Sequence, residues 1–253
     1  GDQTIIGTTE TPTSAADRES RATQADVMYL LAAANSYFPE AQLTTTDVIA
    51  AWSGIRPLAR QLATDDVGSA SREHTIARGP KGVVHVTGGK LTTYREMASQ
   101  VVNGFAKRST SSERTASIPL PGGERSIEEL VDEASPVIAD ESVRAHLVES
   151  YGARWRDVWS LGDDRPGLRQ RLSPSHAVIG AEMVYGVRQE MAMTLGDLLI
   201  RRTHLAFACP DQARSIAPAV ATLAGPELGW VSSKSALEDY EAEVQRTFAI
   251  GGS

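Results

Sequence analysis

The spacing of apolar positions changes character near residue 120. Before it, β-branched runs alternate with helical ones; after it, the period is helical throughout. Ile5-Ile6-Gly7-Thr8-Thr9 reads as a strand, and Thr23 to Phe38 carries Val27, Leu30, Leu31, Ala34 and Tyr37 on one helical stripe. Thr46-Asp47 reads as the cap of a second helix or turn running to Trp52. Glu73 to Ala77 and Gly82 to Thr87 read as two strands joined by Arg78-Gly79-Pro80-Lys81 in the manner of a hairpin, and a helix is expected from Met97 to Ala106. Beyond residue 120, Ser126-Ile127-Glu128-Glu129 has the look of a helix start. Glu141 to Tyr151 closes on Gly152 as a C-cap. Ala181 to Val187, Gln189 to Leu205, Pro210 to Ala224 and Ser233 to Phe248 complete the expected helices. The expected fold class is therefore α/β (α+β) in the first half, followed by an all-α domain of six or seven short helices, with no internal repeat.

A polar, serine-rich stretch from Arg108 to Ser117 runs into Pro119-Leu120-Pro121-Gly122-Gly123, which marks a linker. The expected division is 1–108, a linker at 109–125, and a helical domain at 126–253. Charge follows it: residues 1–107 hold 10 Lys and Arg against 11 Asp and Glu, whereas residues 108–253 hold 15 against 21. The overall net charge of −7, with no basic stripe, argues against a nucleic-acid partner. One cysteine, Cys209, excludes an internal disulfide framework and a cysteine-based zinc site, and fits a reduced, cytoplasmic setting. No segment reads as a signal peptide, and no apolar run approaches the roughly 18 residues of a membrane span. The chain opens at Gly1, already in strand-like sequence, and reads as a fragment of something longer.

Candidate chemistry concentrates in Gly88-Gly89-Lys90-Leu91-Thr92-Thr93-Tyr94-Arg95-Glu96, between the second strand of the hairpin and the helix after it. Glycine admits positive φ and close approach of a ligand to the backbone. Thr93 and Glu96 have capping-box spacing. A helix N-terminus presents unpaired N–H groups and partial positive charge, to which Lys90 adds a full one. Such a place suits an anion; an ordinary strand-to-helix turn with a surface lysine gives the same pattern. In Gly54-Ile55-Arg56-Pro57-Leu58 the proline holds Arg56 in extended backbone. Its planar fork suits a phosphate or carboxylate, or an internal structural partner. Arg72 is a further candidate phosphate ligand, while His74 reads as packed or exposed rather than catalytic.

The second half offers less. Asp197 and Arg201 read as a solvated i,i+4 pair. His146, His176 and His204 read as isolated, Met183, Met191 and Met193 as core filling, and Cys209 as structural, without a neighbouring base. No metal site is expected. Neither G-x-G-x-x-G nor a P-loop occurs in the chain.

Four motifs in order, Ile5-Ile6-Gly7-Thr8-Thr9-Glu10-Thr11, Trp52-Ser53-Gly54-Ile55-Arg56-Pro57-Leu58, Ser71-Arg72-Glu73-His74 and Gly88-Gly89-Lys90-Leu91-Thr92-Thr93-Tyr94-Arg95, resemble the FAD-dependent, quinone-linked glycerol-3-phosphate dehydrogenases. The likeness continues through Leu120-Pro121-Gly122-Gly123 and the segment from Ala181 to Thr203. It implies that residues 1–108 are the C-terminal part of a flavin- and substrate-binding domain, and 126–253 the family's helical C-terminal domain. It further implies oxidation of sn-glycerol 3-phosphate to dihydroxyacetone phosphate by hydride transfer to FAD, with electrons passing to a quinone at the membrane. Arg56 and Lys90 would then be catalytic, and Arg56, Arg72 and Lys90 would bind substrate. Gly88, Gly89, Lys90, Leu91 and Thr92 would face the flavin. Peripheral membrane association and a homodimer are compatible with the resemblance. The family's dinucleotide fingerprint is missing from these 253 residues, so the chain alone is expected to be inactive. A related FAD-dependent amine or amino-acid oxidase, and a non-catalytic helical interaction module, are the alternatives.

Overall fold

The structure, a computed structural model, describes residues 3–11, 20–55, 74–106 and 114–251. These fall into two compact units. Residues 3–10, 20–53 and 121–251 belong to the larger, and the smaller is built on 74–106.

The larger unit is helical. Helix α1 (Gln24–Tyr37) starts where expected, because Thr23 and Asp26 form a reciprocal capping box. Val27 and Leu31 are its buried residues, whereas Tyr37, expected on the same stripe, is exposed. Thr9 donates from its hydroxyl to Asp26 at 2.8 Å. The bonds from Thr23 and Thr9 hold the Asp26 carboxyl below the usual carboxylate range. Residues 3–11 form no strand, and neither described strand pairs with them. The expected helix after Thr46 is a single 3-10 turn, Thr45–Asp47, closed by Thr44 and Asp47.

Residues 20–53 pack with the helices that follow residue 121. The bonds that tie them there are explicit. Gly251 N–H donates to Ala22 O at 2.9 Å, and Gln212 Nε2 to Ile49 O at 3.1 Å. Trp52 meets Phe207 edge-on at 4.7 Å, and Phe207 in turn meets Phe248.

From residue 127 onward come α3 (Ile127–Ala134), capped by Ser126 and Glu129 as expected, and α4 (Glu141–Tyr151), capped by Asp140. Gly152 ends α4 at φ 54°. A Cβ there would stand 2.0 Å from Gly122 O, so the glycine turn of the expected linker seats directly against the end of α4. Then follow α5 (Trp155–Ser160) and α6 (Gly180–Glu190). Helix α6 is the axis of the unit: residues 180–186 are all buried. Ala181, Val184 and Tyr185 join the core of α3, α4 and α5. Met183 joins a second core.

The expected continuous helix from Gln189 to Leu205 does not form. Met191 takes the left-handed conformation at φ 59°, ending α6. A π-helical stretch (Asp197–Arg202) and α7 (Leu205–Ala208) follow. The helix expected from Pro210 begins only at Ala217, as α8 (Ala217–Leu228), after turns closed by Asp211. Helix α9 (Lys234–Phe248) is as expected. Met183 is core, but Met191 and Met193 are exposed, a consequence of the break at 191.

The smaller unit holds an antiparallel hairpin, β1 (Thr75–Arg78) and β2 (Val84–Thr87), with Thr75 opposite Thr87 and Arg78 opposite Val84. Helix α2 (Tyr94–Ala106) follows it. Both strands lie within two residues of the expected bounds, and the helix starts three residues earlier than expected and ends where expected.

Candidate functional site

The glycine turn is the part of the smaller unit built to present a charge. Gly88 and Gly89 leave β2 at φ 73° and 87°. Both lie in the left-handed region that costs other residues strain. A Cβ at Gly89 would also stand 2.6 Å from Met97 Sδ. The positive φ is what calls for glycine there, and the flexible Met97 side chain would have to move for anything larger. Lys90 returns to extended backbone at φ −122° and ψ 148°, and a 3-10 turn, Leu91–Thr93, leads into α2.

The cap differs from the expected one. Thr93 turns back instead of pairing with Glu96: its hydroxyl donates to Lys90 O at 2.9 Å, and its N–H donates to the same oxygen at 3.0 Å. Glu96 accepts from Gln100 Nε2 at 2.9 Å. The 3-10 turn that leads into α2 is therefore capped at Lys90, three residues earlier than Thr93. Lys90 and Thr92 are exposed, and beside them Leu91 and Tyr94 expose apolar surface, Leu91 to 88%. A cation at a helix N-terminus, flanked by exposed apolar side chains, suits a flat ligand that carries or gains negative charge.

Of the other expected site residues, Arg56 and Arg72 lie outside the described residues. His74, expected to be packed or exposed, bonds Gln100 Oε1 through Nε2 at 2.8 Å.

The helical unit contains polar contacts that sequence reading missed. Glu182 on α6 is buried, with 1% of its side chain exposed. It accepts from Ile179 N–H at 2.7 Å, from the Tyr151 hydroxyl at 3.0 Å and from His146 Nε2 at 2.9 Å. His146 is thus not isolated. Burial works against its charge, but the Glu182 bond and charge outweigh that and raise its pKa. The i,i+3 spacing of Ile179 and Glu182 was the only local signal; the partners on α4 are more than 30 residues away. His176 is likewise paired, with Nε2 3.3 Å from Cys209 Sγ, so the cysteine does have a neighbouring base. Burial nevertheless pushes the thiol pKa up, away from the thiolate.

Asp197 and Arg201 are more than a solvated pair. Asp197 accepts from the N–H groups of Met193 and Thr194, and Arg201 also bonds Glu243 at 2.6 Å. Burial opposes ionisation of Asp197, yet those N–H groups and Arg201 bring its pKa down to about 2. Among the described residues no group of three or more His, Cys, Asp or Glu is arranged for a metal ion, and no helix is long and apolar enough to cross a membrane.

Residues 1–95 match the family of FAD dependent oxidoreductases, and residues 113–235 match the C-terminal domain of alpha-glycerophosphate oxidase. The mitochondrial glycerol-3-phosphate dehydrogenase of Bos taurus is 34% identical over 97% of this chain and 34% of its own length. The glycerol-3-phosphate dehydrogenase of Synechocystis sp. is also 34% identical, over 91% of this chain and 43% of its own. The crystal structure of the Bacillus halodurans glycerol-3-phosphate dehydrogenase complexed with FAD superposes with a TM-score of 0.69 at 29% identity, covering 90% of this chain and 46% of that one. The chain thus spans between a third and a half of the length of these relatives. On these matches the chain is similar to a part of the FAD-dependent glycerol-3-phosphate dehydrogenases.

Proposed function

We propose that this segment contributes the flavin-facing and substrate-facing edge of an enzyme that oxidises sn-glycerol 3-phosphate to dihydroxyacetone phosphate, with a quinone as the final electron acceptor. The observation that carries the reading is the exposed Lys90 at the N-terminus of the segment that becomes α2, directly after a two-glycine turn. When bound, FAD supplies the acceptor for the hydride lost from the substrate's secondary carbinol carbon. In this reading Gly88 and Gly89, which carry no side chain, let the backbone come close to that group, and the exposed Leu91 and Thr92 face it.

Lys90 holds positive charge where negative charge grows as the hydride arrives, which favours the product and raises the rate. Arg56 and Arg72 hold the phosphate dianion, which two guanidinium forks bind well. In this reading residues 1–108 belong to the flavin domain and 126–253 to the C-terminal helical domain, with 109–125 joining them. The enzyme works in the cytoplasm or at the periphery of its membrane. With no G-x-G-x-x-G of its own, the 253-residue chain is inactive in isolation.

The test uses a protein of the relatives' length that carries this segment. It should purify yellow and reduce a dye only when glycerol 3-phosphate is supplied. Arg56→Ala and Arg72→Ala should each lower kcat/KM by roughly tenfold or more, through loss of a charge-assisted contact. Unchanged kinetics in both would remove the phosphate-site assignment.

A further inference from the structure

We propose that His74 is a positioning residue for Lys90, holding the glycine turn and helix α2 in register; this rests on the role given to Lys90 above. Two contacts converge on it, and a third holds the same helix further along. First, it lies under the turn: a Cβ at Gly89 would stand 3.1 Å from the His74 Cβ, in the same spot where it would meet Met97 Sδ. Gly89, Met97 and His74 therefore pack against one another. Second, His74 Nε2 is 2.8 Å from Gln100 Oε1. The direction of that bond follows from the next one. Glu96 can only accept when ionised, so Gln100 turns its amide nitrogen to Glu96, at 2.9 Å, and its oxygen to His74. His74 Nε2 thus carries the hydrogen and donates it. Third, four residues along, where a strand returns to the same face, Arg78 donates to Gly104 O at 2.9 Å and places its guanidinium 5.9 Å from the Phe105 ring centre. Gln100 and Gly104 are themselves one helical turn apart.

The strand thus grips the helix at two points a turn apart. Arg78 holds the C-terminal end, and His74 holds the middle while also touching the turn that carries Lys90. Without the His74 grip, α2 keeps its hold at Gly104 and is free to tilt about it. Lys90 lies roughly 20 Å from that pivot along the helix axis, by the rise per residue, so a small tilt displaces its ammonium by an ångström or more. Displacement on that scale is enough to cost a positioned charge much of its effect on a reaction.

The experiment is a double-mutant cycle in the FAD-loaded, full-length protein, read both as the rate of flavin reduction at saturating glycerol 3-phosphate and as the midpoint potential of the bound flavin. His74→Leu should lower the rate about tenfold and make the potential more negative, at unchanged FAD content. His74→Gln, which keeps an N–H donor, should restore most of both. On a Lys90→Ala background, His74→Leu should add less than about twofold, because it acts through the lysine. If His74→Leu releases FAD, Gln100→Leu takes its place in the same cycle with the same expected result. A His74→Leu protein with normal rate and potential, or a full tenfold loss that persists without Lys90, overturns the proposal while leaving the function intact. A Lys90→Ala protein that reduces its flavin as fast as the parent removes the Lys90 role, and this proposal with it.

Discussion

Replacing Glu182 by leucine should destabilise the helical unit by about 3–5 kcal/mol, the usual cost of removing one partner from a buried charged pair. The magnitude can be built from the contacts. The carboxylate receives three donors, from Ile179, Tyr151 and His146, and its own side chain is 1% exposed. Each buried donor left without an acceptor costs about 1–3 kcal/mol. Burial, then Glu182 itself, already holds the Tyr151 hydroxyl firmly in its protonated form, so that group cannot adapt by ionising. The apolar gain from leucine offsets part of the loss but supplies no acceptor. Urea denaturation of the 253-residue chain, followed by tryptophan fluorescence, reads the change directly, since Trp155 is fully buried in the same core. Glu182→Gln serves as the control: it keeps one acceptor oxygen, so its loss should be smaller. A Glu182→Leu chain within about 0.5 kcal/mol of the parent would refute the reasoning, because surface substitutions do no more than that.

The same cluster sets a pH dependence. The His146 pKa is raised above its ordinary value of 6.5 by Glu182 against the pull of burial, so its contribution is fully present below that value and is lost as pH rises through the folded pKa. The urea midpoint should therefore fall as pH rises from that ordinary value through the folded pKa, and His146→Gln should flatten that part of the profile; an unchanged slope in the variant would contradict it. Asp197 runs the other way: with a folded pKa of about 2, its contribution is present above the unfolded value and lost as pH falls through the folded one. Asp197→Ala should cost about 1–2 kcal/mol at neutral pH through loss of the capped N–H groups, measured by the same denaturation, and much less near pH 2. Gly89→Ala, which puts a Cβ at positive φ and against Met97, should lower the FAD content of the full-length protein, read as the ratio of visible to ultraviolet absorbance. An alanine variant that loads fully would show that the turn can shift at little cost.

Local chemistry in the sequence predicted much of this fold. Ser126 with Glu129, and Gly152 after Tyr151, each fix a helix end through bonds within four residues, and each appears where its spacing places it. The hairpin is legible for the same reason, since Gly79 to Gly82 can only turn. Elements that depend on distant partners were not. Residues 5–9 have strand composition but no neighbouring strand among those described. The apolar period from 189 to 205 runs unbroken in the sequence, whereas the backbone reverses at Met191 and Arg202 donates to Glu190 O across the break. The site shows the same split. Gly88 to Lys90 was legible because glycine and charge act on their own backbone. The Glu182 cluster was not, because its donors come from another helix, and neither was the grip of His74 on Gln100, 26 residues apart.

Anaerobic addition of glycerol 3-phosphate to the full-length, FAD-loaded protein is the most direct measurement of the proposed role. The visible flavin band should bleach in a single turnover at stoichiometric substrate, and Lys90→Ala should slow that bleaching at least tenfold without releasing FAD. A flavin that stays oxidised with this substrate, or bleaches equally fast without Lys90, would show that the glycine turn and its lysine do not serve this reaction.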